Sequence, residues 1–287
     1  MAITAAMVKE LRDKTAAGMM DCKKALQECD GDINNAVDWL RQKGLSKAAK
    51  KAGRATSEGL VGCFVAEDGQ TAGLAELKCE TDFVSRNEKF VELSKELAKE
   101  VATAGALGEG AQTAVNNIIA TLGENMGTGR TAFVKVEAHG FIGSYVHSNG
   151  KIAVLVNMTT TKAETAANAA FLECAKNVAM QIAASNPAAV SSDMIDGAIL
   201  ERERAVYRQK ALDDGKPEQI VEKIVEGAIK KYFKEACLLE QPYIRDDKMS
   251  ISELLKQTGK AAEDTISIAG FTRFQLGEDA VAEEAEA

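Results

Sequence analysis

Apolar residues recur at helical spacing through the first fifty positions. Met7, Val8 and Leu11 mark one segment, Cys22, Ala25 and Leu26 a second, and Ala36, Val37 and Leu40 a third. Residues three and four apart share one face of a helix, so each set predicts a short amphipathic helix. Thr15 to Gly18 breaks the first segment, and Met19 to Glu28 forms the second. Asp30-Gly31-Asp32 is a turn and cap, and the third helix runs on to Gly44. Lys47 to Arg54 is basic and reads either as a linker or as a helix lying against the next domain.

The pattern then changes period, and a repeat emerges. Shifted by 81 residues, Gly59 to Ala102 lies over Gly140 to Ala183 without a gap. Gly62 meets Gly143, Phe64 meets Tyr145, Gly69 meets Gly150, Leu74 meets Leu155 and Phe90 meets Phe171. Each copy predicts two strands joined at Asp68-Gly69 or Asn149-Gly150, dipeptides that tolerate the positive φ of a hairpin turn. A helix follows in both. Copy one continues with a helix around Thr113–Glu124 and a β-like run from Thr131 to Ala138. Copy two continues with a helix around Ile251–Gln257 and a run from Ile266 to Leu276.

Copy two carries an insertion of about sixty residues between its helices. Ile195, Ile199, Val206 and Leu212 mark one helical arm, Asp213 to Pro217 a turn, and Ile220, Val221, Ile224, Val225, Ile229, Tyr232 and Phe233 the second arm. That stripe is wider than a two-helix seam needs, so the hairpin should pack on something else as well. The expected fold is α+β. It comprises a helical module with linker (1–54), core subdomain N (55–139), core subdomain C (140–189 and 249–276), an inserted helical hairpin (190–248) and an acidic tail (277–287). Each core subdomain is expected to hold a three-stranded antiparallel sheet plus helices.

Composition narrows the function. The formal charge of −8 argues against nucleic acid or an anionic membrane as partner, because both select basic surfaces. Six cysteines, at 22, 29, 63, 79, 174 and 237, form no C-x-x-C pair, and no apolar run is long enough to span a bilayer. Reduced thiols and a cytoplasmic location are expected. No phosphate loop, nucleophile elbow or zinc-binding helix motif is present. His139 and His147 are the only histidines. A Cys–His pair could be assembled on paper, without a local signature to support it. Gly127-Thr-Gly129-Arg130 reads as a loop entering the strand at Thr131.

One connection stands out. Ser85-Arg-Asn-Glu88 fits a capping box, with Ser85 capping a helix that buries Phe90, Leu93, Leu97 and Val101. Thr81-Asp-Phe-Val84 then links the second strand to that helix. Copy two has Lys162-Ala-Glu-Thr165 at this place and no aromatic. The residues alone leave two roles open for Phe83, a core side chain or an anchor for a partner's pocket.

Two segments carry a family resemblance. Leu11-Arg-Asp-Lys-Thr-Ala-Ala-Gly-Met-Met-Asp-Cys-Lys-Lys-Ala-Leu26 and Glu76-Leu-Lys-Cys-Glu-Thr-Asp-Phe-Val-Ser-Arg86 resemble the two signatures of bacterial elongation factor Ts. The resemblance extends to Gly143–His147 and to the stretch from Ile224 to Pro242. Ala16 stands where the family usually has glycine, and Lys78 where it usually has asparagine.

The resemblance implies a guanine-nucleotide exchange factor without covalent chemistry, which binds elongation factor Tu and releases its GDP. It implies contact with the partner, and displacement of the partner's Mg²⁺, through Thr81, Asp82, Phe83 and Val84. Secondary contacts would come from Leu11, Arg12, Met19, Met20, Tyr145 and His147, with at least one of the two methionines expected in the module's core. The helical module is similar to a ubiquitin-associated domain. The hairpin is similar to the family's coiled-coil or dimerisation module, so a homodimer through it is one expectation and a one-to-one partner the other. No catalytic residue, metal or cofactor of the chain's own is implied. The alternative is a non-catalytic binding or chaperone scaffold for an elongation factor.

Overall fold

The computed structural model describes residues 2–15, 17–147 and 149–278, and of Lys47 the backbone. The acidic tail from residue 279 onward and the Ala16 departure lie outside the described residues. The fold is α+β.

Three helices open the chain, α1 (Ala5–Thr15), α2 (Met19–Glu28) and α3 (Ile33–Ala49). Their core is Leu11, Cys22, Ala25, Leu26 and Ala36. The Asp32 side chain accepts from the Asn35 amide at 2.9 Å and caps α3. This helix runs past Gly44 to Ala49, so the basic segment is helical at its start and continues as turns from Lys50 to Arg54. It packs on copy one, where Ala48 joins the core. Each of the two readings of that segment holds for a part of it: residues 47–49 end the helix, and 50–54 form a turn-rich connection.

Copy one follows as β1 (Glu58–Val65), β2 (Thr71–Cys79), the single turn α4 (Asp82–Ser85), α5 (Glu88–Ala104), α6 (Glu109–Leu122) and β3 (Met126–Lys135). Copy two holds β4 (His139–Val146), β5 (Ile152–Thr160), a 3₁₀ turn (Ala163–Ala167) and α7 (Ala169–Ser185). The bounds of β1, β2 and α5 recur in β4, β5 and α7 at the offset of 81 residues. The chain continues as α8 (Gly197–Asp213), α9 (Glu218–Ala236), the short pair β6 (Pro242–Tyr243) and β7 (Asp246–Ser250), then α10 (Ile251–Ala261) and β8 (Ile266–Gln275). Among the described residues two three-stranded antiparallel sheets result, with strand orders β1-β2-β3 and β4-β5-β8, beside the two-stranded β6-β7 pair.

Each sheet is covered by its long helix at very short range. A Cβ on Gly62 would fall 1.9 Å from the Ser94 carbonyl oxygen, and one on Gly143 would fall 2.6 Å from that of Ala175. The copies meet through a shared core of Val61, Ala72, Leu74, Ile142, Ala153, Leu155, Val136 and Phe274. Their hairpin turns are exchanged. The Ile142 amide donates to Gly69 O at 3.0 Å, and the Val61 amide donates to Gly150 O at 2.8 Å. Both glycines have positive φ, 68° and 69°, as a tight hairpin turn requires.

Three local expectations are corrected. Ser85 does not cap α5, because its Oγ donates to the Asp82 carbonyl at 3.0 Å. Asn87 is the cap, accepting from the Lys89 amide at 3.1 Å. Gly127 to Arg130 is not a loop but lies within β3, where Gly129 leaves room for the buried Glu76 carboxylate that pairs with Arg130 at 2.6 Å. In the hairpin, Ile199, Val206 and Leu212 face solvent. The seam is instead Leu200, Tyr207 and Ala211 against Val221, Val225, Ile229 and Phe233. Ala211 and Tyr207 lie a helical turn apart, on the face of α8 that meets Val221, Val225 and Ile229 of α9.

Candidate functional site

Strand β2 is buried along Ala72 to Leu77, and the chain leaves the body at Glu80. Four contacts fix the exit. The Glu80 Oε1 accepts from the Asn125 amide at 2.6 Å and meets Arg54 Nη1 at 3.4 Å. The Thr81 amide donates to Glu124 Oε2 at 3.0 Å, and the Thr81 hydroxyl donates to Glu124 Oε1 at 2.6 Å. The bond from the Asn125 amide, with Arg54 nearby, holds the Glu80 carboxyl below the usual range.

Helix α4 then makes one turn. Successive helical residues point about 100° apart, so a single turn cannot bury all four side chains. Val84 packs against the core of copy one and Ser85 is buried. Asp82 and Phe83 point outward. Asp82 Oδ2 pairs with Arg86 Nη2 at 2.8 Å across i,i+4. Phe83 is 82% exposed, whereas Phe90, seven positions on, is fully buried. The core role that the residues left open for Phe83 is therefore excluded.

The remaining candidates divide. Leu11 has no exposed surface and belongs to the three-helix core, so it cannot be a direct contact as placed. Its apolar side chain on the inner face of α1 is what joins that helix to α2. The expectation that one of Met19 and Met20 is core also fails, since they are 59% and 73% exposed. Both sit in the first turn of α2, outside the Cys22–Ala25–Leu26 face, and line a groove with Ile3, Val8, Arg12 and Lys23. Tyr145 is half-buried at the end of β4, with its hydroxyl 3.5 Å from Nδ1 of the exposed His147. The hairpin turn that follows them lies close to α4. Asn149 and Lys151 line one cleft with Glu58, Asp82, Ser85 and Arg86, and Lys151 pairs with Glu58 at 2.7 Å. The structure thus brings the Asp82–Phe83 turn and the tip of copy two together. The methionine groove is a separate surface.

The cysteine alternative loses its chemistry. Burial pushes the thiols of Cys63 and Cys237 up to about 11 and that of Cys79 up to about 12, which keeps them neutral and poorly nucleophilic near pH 7. Cys79 donates to the Thr81 carbonyl at 3.2 Å, directly beneath the exposed turn.

Sequence reasoning did not pick out Glu124, Asn125 or Arg54, although all three grip the base of that turn. Asn125 Nδ2 also donates to the Arg54 carbonyl at 2.7 Å, and Lys51 Nζ donates to the Gly123 carbonyl, so the same corner holds the end of the helical module's linker.

Comparison with known proteins gives the context for this turn. A family model described as Elongation factor TS matches residues 80–278. Proteins named Elongation factor Ts are similar over nearly the whole chain. That of Nitratidesulfovibrio vulgaris is 78% identical over 285 residues, covering 99% of both chains. That of Desulfovibrio desulfuricans is 54% identical, covering 96% of this chain and 98% of its own, and that of Clostridium botulinum is 46% identical, covering 96% and 93%. The class these matches define is a translation elongation factor. The chain belongs to the elongation factor Ts family.

Proposed function

We propose that the chain binds GDP-bound elongation factor Tu and accelerates GDP release, with the Asp82–Phe83 turn working beside the partner's nucleotide and Mg²⁺. The observation that carries this reading is the 82% exposure of Phe83 on a turn whose counterpart in copy two has no aromatic. A large apolar ring held in water by a buried strand and a clamped base is suited to enter a partner's pocket.

An exchange factor of this kind breaks no bond in its substrate. It works by binding the nucleotide-free partner more tightly than the GDP-bound one, and by linkage the nucleotide weakens the factor's binding by the same ratio. Burying Phe83 in an apolar slot contributes roughly 1.5–3 kcal/mol. If the slot opens only when the partner's elements around Mg²⁺ move apart, that energy favours the open state alone and acts as a wedge. Asp82 supplies a carboxylate beside the ring. The magnesium belongs to the partner.

Around this turn we assign supporting roles. Tyr145 and His147, at the neighbouring tip of copy two, reach a second region of the partner. The groove of Arg12, Met19 and Met20 on the ubiquitin-associated-like module makes a further contact. The hairpin carries exposed Ile199, Val206, Ile220 and Ile224, which suit a coiled-coil or dimer contact in the cytoplasm. Stopped-flow release of a fluorescent GDP from elongation factor Tu tests the reading, which expects release to quicken as the factor is added. Binding without acceleration at micromolar factor would leave a scaffold and overturn it.

A further inference from the structure

The corner between α6 and β3 does more than end a helix. Glu124 is half-buried there, and both of its carboxylate oxygens are engaged by one residue, Thr81, through amide and hydroxyl. Thr81 is extended, with φ −129° and ψ 157°, and immediately precedes the turn bearing Asp82 and Phe83. Its hydroxyl makes no cap bond within α4. The direction in which the turn leaves the body is thus fixed from outside, by a carboxylate 43 residues further along the chain.

Copy two repeats the device. Lys162 stands at the place of Thr81 in the repeat, and its amide donates to Asp264 Oδ2 at 3.1 Å. The Thr161 amide donates to Asp264 Oδ1 at 3.2 Å, and the Thr161 hydroxyl donates to the same oxygen. Asp264 sits between α10 and β8, as Glu124 sits between α6 and β3. Desolvation alone would raise the Asp264 carboxyl. The bonds from the Thr161 and Thr165 side chains and from the Thr265 and Thr161 amides outweigh it and hold the group well below the usual range. One fold therefore carries a carboxylate clamp at both junctions, once under an exposed aromatic and once under a turn without one, with the hydroxyl in copy two supplied one position earlier, by Thr161 at the place of Glu80.

We infer that Glu124 is a positioning residue for nucleotide exchange, because it clamps Thr81 and so fixes where Phe83 is presented to the partner. The inference rests on the wedge reading of Phe83 given above. Glu124 itself touches neither partner nor nucleotide in this role. Its effect should appear in the rate of release from the bound complex and not in the affinity of the encounter. The neighbouring Asn125, which joins Glu80 to the Arg54 carbonyl, ties the same corner to the helical module.

The repeat supplies its own control. GDP release from elongation factor Tu is measured against concentration of the full chain for wild type, Glu124→Ala, Glu124→Gln, Asp264→Ala, Phe83→Ala and the Phe83→Ala/Glu124→Ala double variant, with melting temperatures alongside. Glu124→Ala is expected to lower the plateau rate about tenfold while the half-saturating concentration stays within about twofold, as for an interaction realised only on the way to release. Glu124→Gln keeps an acceptor for the amide and a donor for the hydroxyl oxygen, and should restore most of the rate. Asp264→Ala should lower the melting temperature and leave the plateau unchanged. The double variant should be no slower than Phe83→Ala alone.

Equal plateau losses from Glu124→Ala and Asp264→Ala would reduce the clamp to a structural part and overturn the inference, as would losses that multiply in the double variant. A slow Phe83→Ala beside an unaffected Glu124→Ala would overturn the inference and leave the wedge intact. An unaffected Phe83→Ala would overturn both. Should Glu124→Ala fail to fold, Thr81→Val removes the hydroxyl bond and keeps the amide, and a wild-type plateau in that variant would also refute the positioning role.

Discussion

Replacing Phe83 by alanine separates function from stability. The ring is 82% exposed, so folding removes little of its surface from water and α4 loses no core contact when it is cut back. The stability cost should stay within about 0.5 kcal/mol, the range of surface substitutions. Fully buried Phe90 gives the contrasting scale, since truncating a core phenylalanine costs about 3–5 kcal/mol. The loss in exchange is set by the partner's slot. Forfeiting roughly 1.5–3 kcal/mol of burial there slows release by about ten- to a hundredfold, at about 1.4 kcal/mol per factor of ten. The assay is stopped-flow release of a fluorescent GDP from elongation factor Tu at saturating factor, with thermal denaturation of the factor alone. Release within twofold of wild type would refute the wedge. A fall in melting temperature comparable to that of Phe90→Ala would refute the claim that the ring is free of the core.

Three further outcomes follow from other parts of the molecule. Met20→Ala should weaken complex formation, measured by titration calorimetry, with an unchanged melting temperature, while Leu11→Ala should destabilise the helical module by about 2–5 kcal/mol, as cavity-forming core truncations do. Gly62→Ala and Gly143→Ala should each lower the melting temperature strongly, because overpacking costs about 1–3 kcal/mol or more and the opposing carbonyl belongs to a helix that cannot yield locally. Asp264 has a depressed folded-state pKa, so its stabilisation is complete above the ordinary carboxylate range and is lost progressively as pH falls from that range down through the depressed folded-state value. The gap in melting temperature between wild type and Asp264→Asn should therefore be widest near neutral pH and narrow below about pH 4, and a gap constant into acid would contradict the assignment.

The repeat was the most legible part of the fold. An ungapped offset of 81 residues carried strand, turn, strand and helix from one copy to the other, because hairpin glycines and buried apolar positions are local signals. The exposed turn was legible for the same reason: the second copy showed that its aromatic is not needed by the architecture. Legibility failed where two local signals competed. Ser85 and Asn87 are both good caps, and the α4 turn decided between them by engaging the Ser85 hydroxyl with the Asp82 carbonyl. Met19 and Met20 look like core residues by hydrophobicity, but the face of α2 is set by Cys22, Ala25 and Leu26. Glu124 was invisible because its partner lies 43 residues away, and the corresponding acid in copy two is displaced by the inserted hairpin. An acidic residue at the same junction of each copy, ahead of the last strand, was the available signal.

The exchanged hairpin turns have a consequence of their own. The Gly69 carbonyl of copy one receives the amide of Ile142, and the Gly150 carbonyl of copy two receives that of Val61. Those pairs are interchanged by the 81-residue offset, so each copy holds both the donor and the acceptor half of the contact. Such a surface is self-complementary, the property that defines an isologous interface between identical subunits. The chain is thus organised as a two-fold pair written into one polypeptide. Covalent linkage removes the requirement that the halves stay alike. One half was free to keep a bare aromatic on its turn, and the other to accept an inserted hairpin, without either change being imposed on its twin.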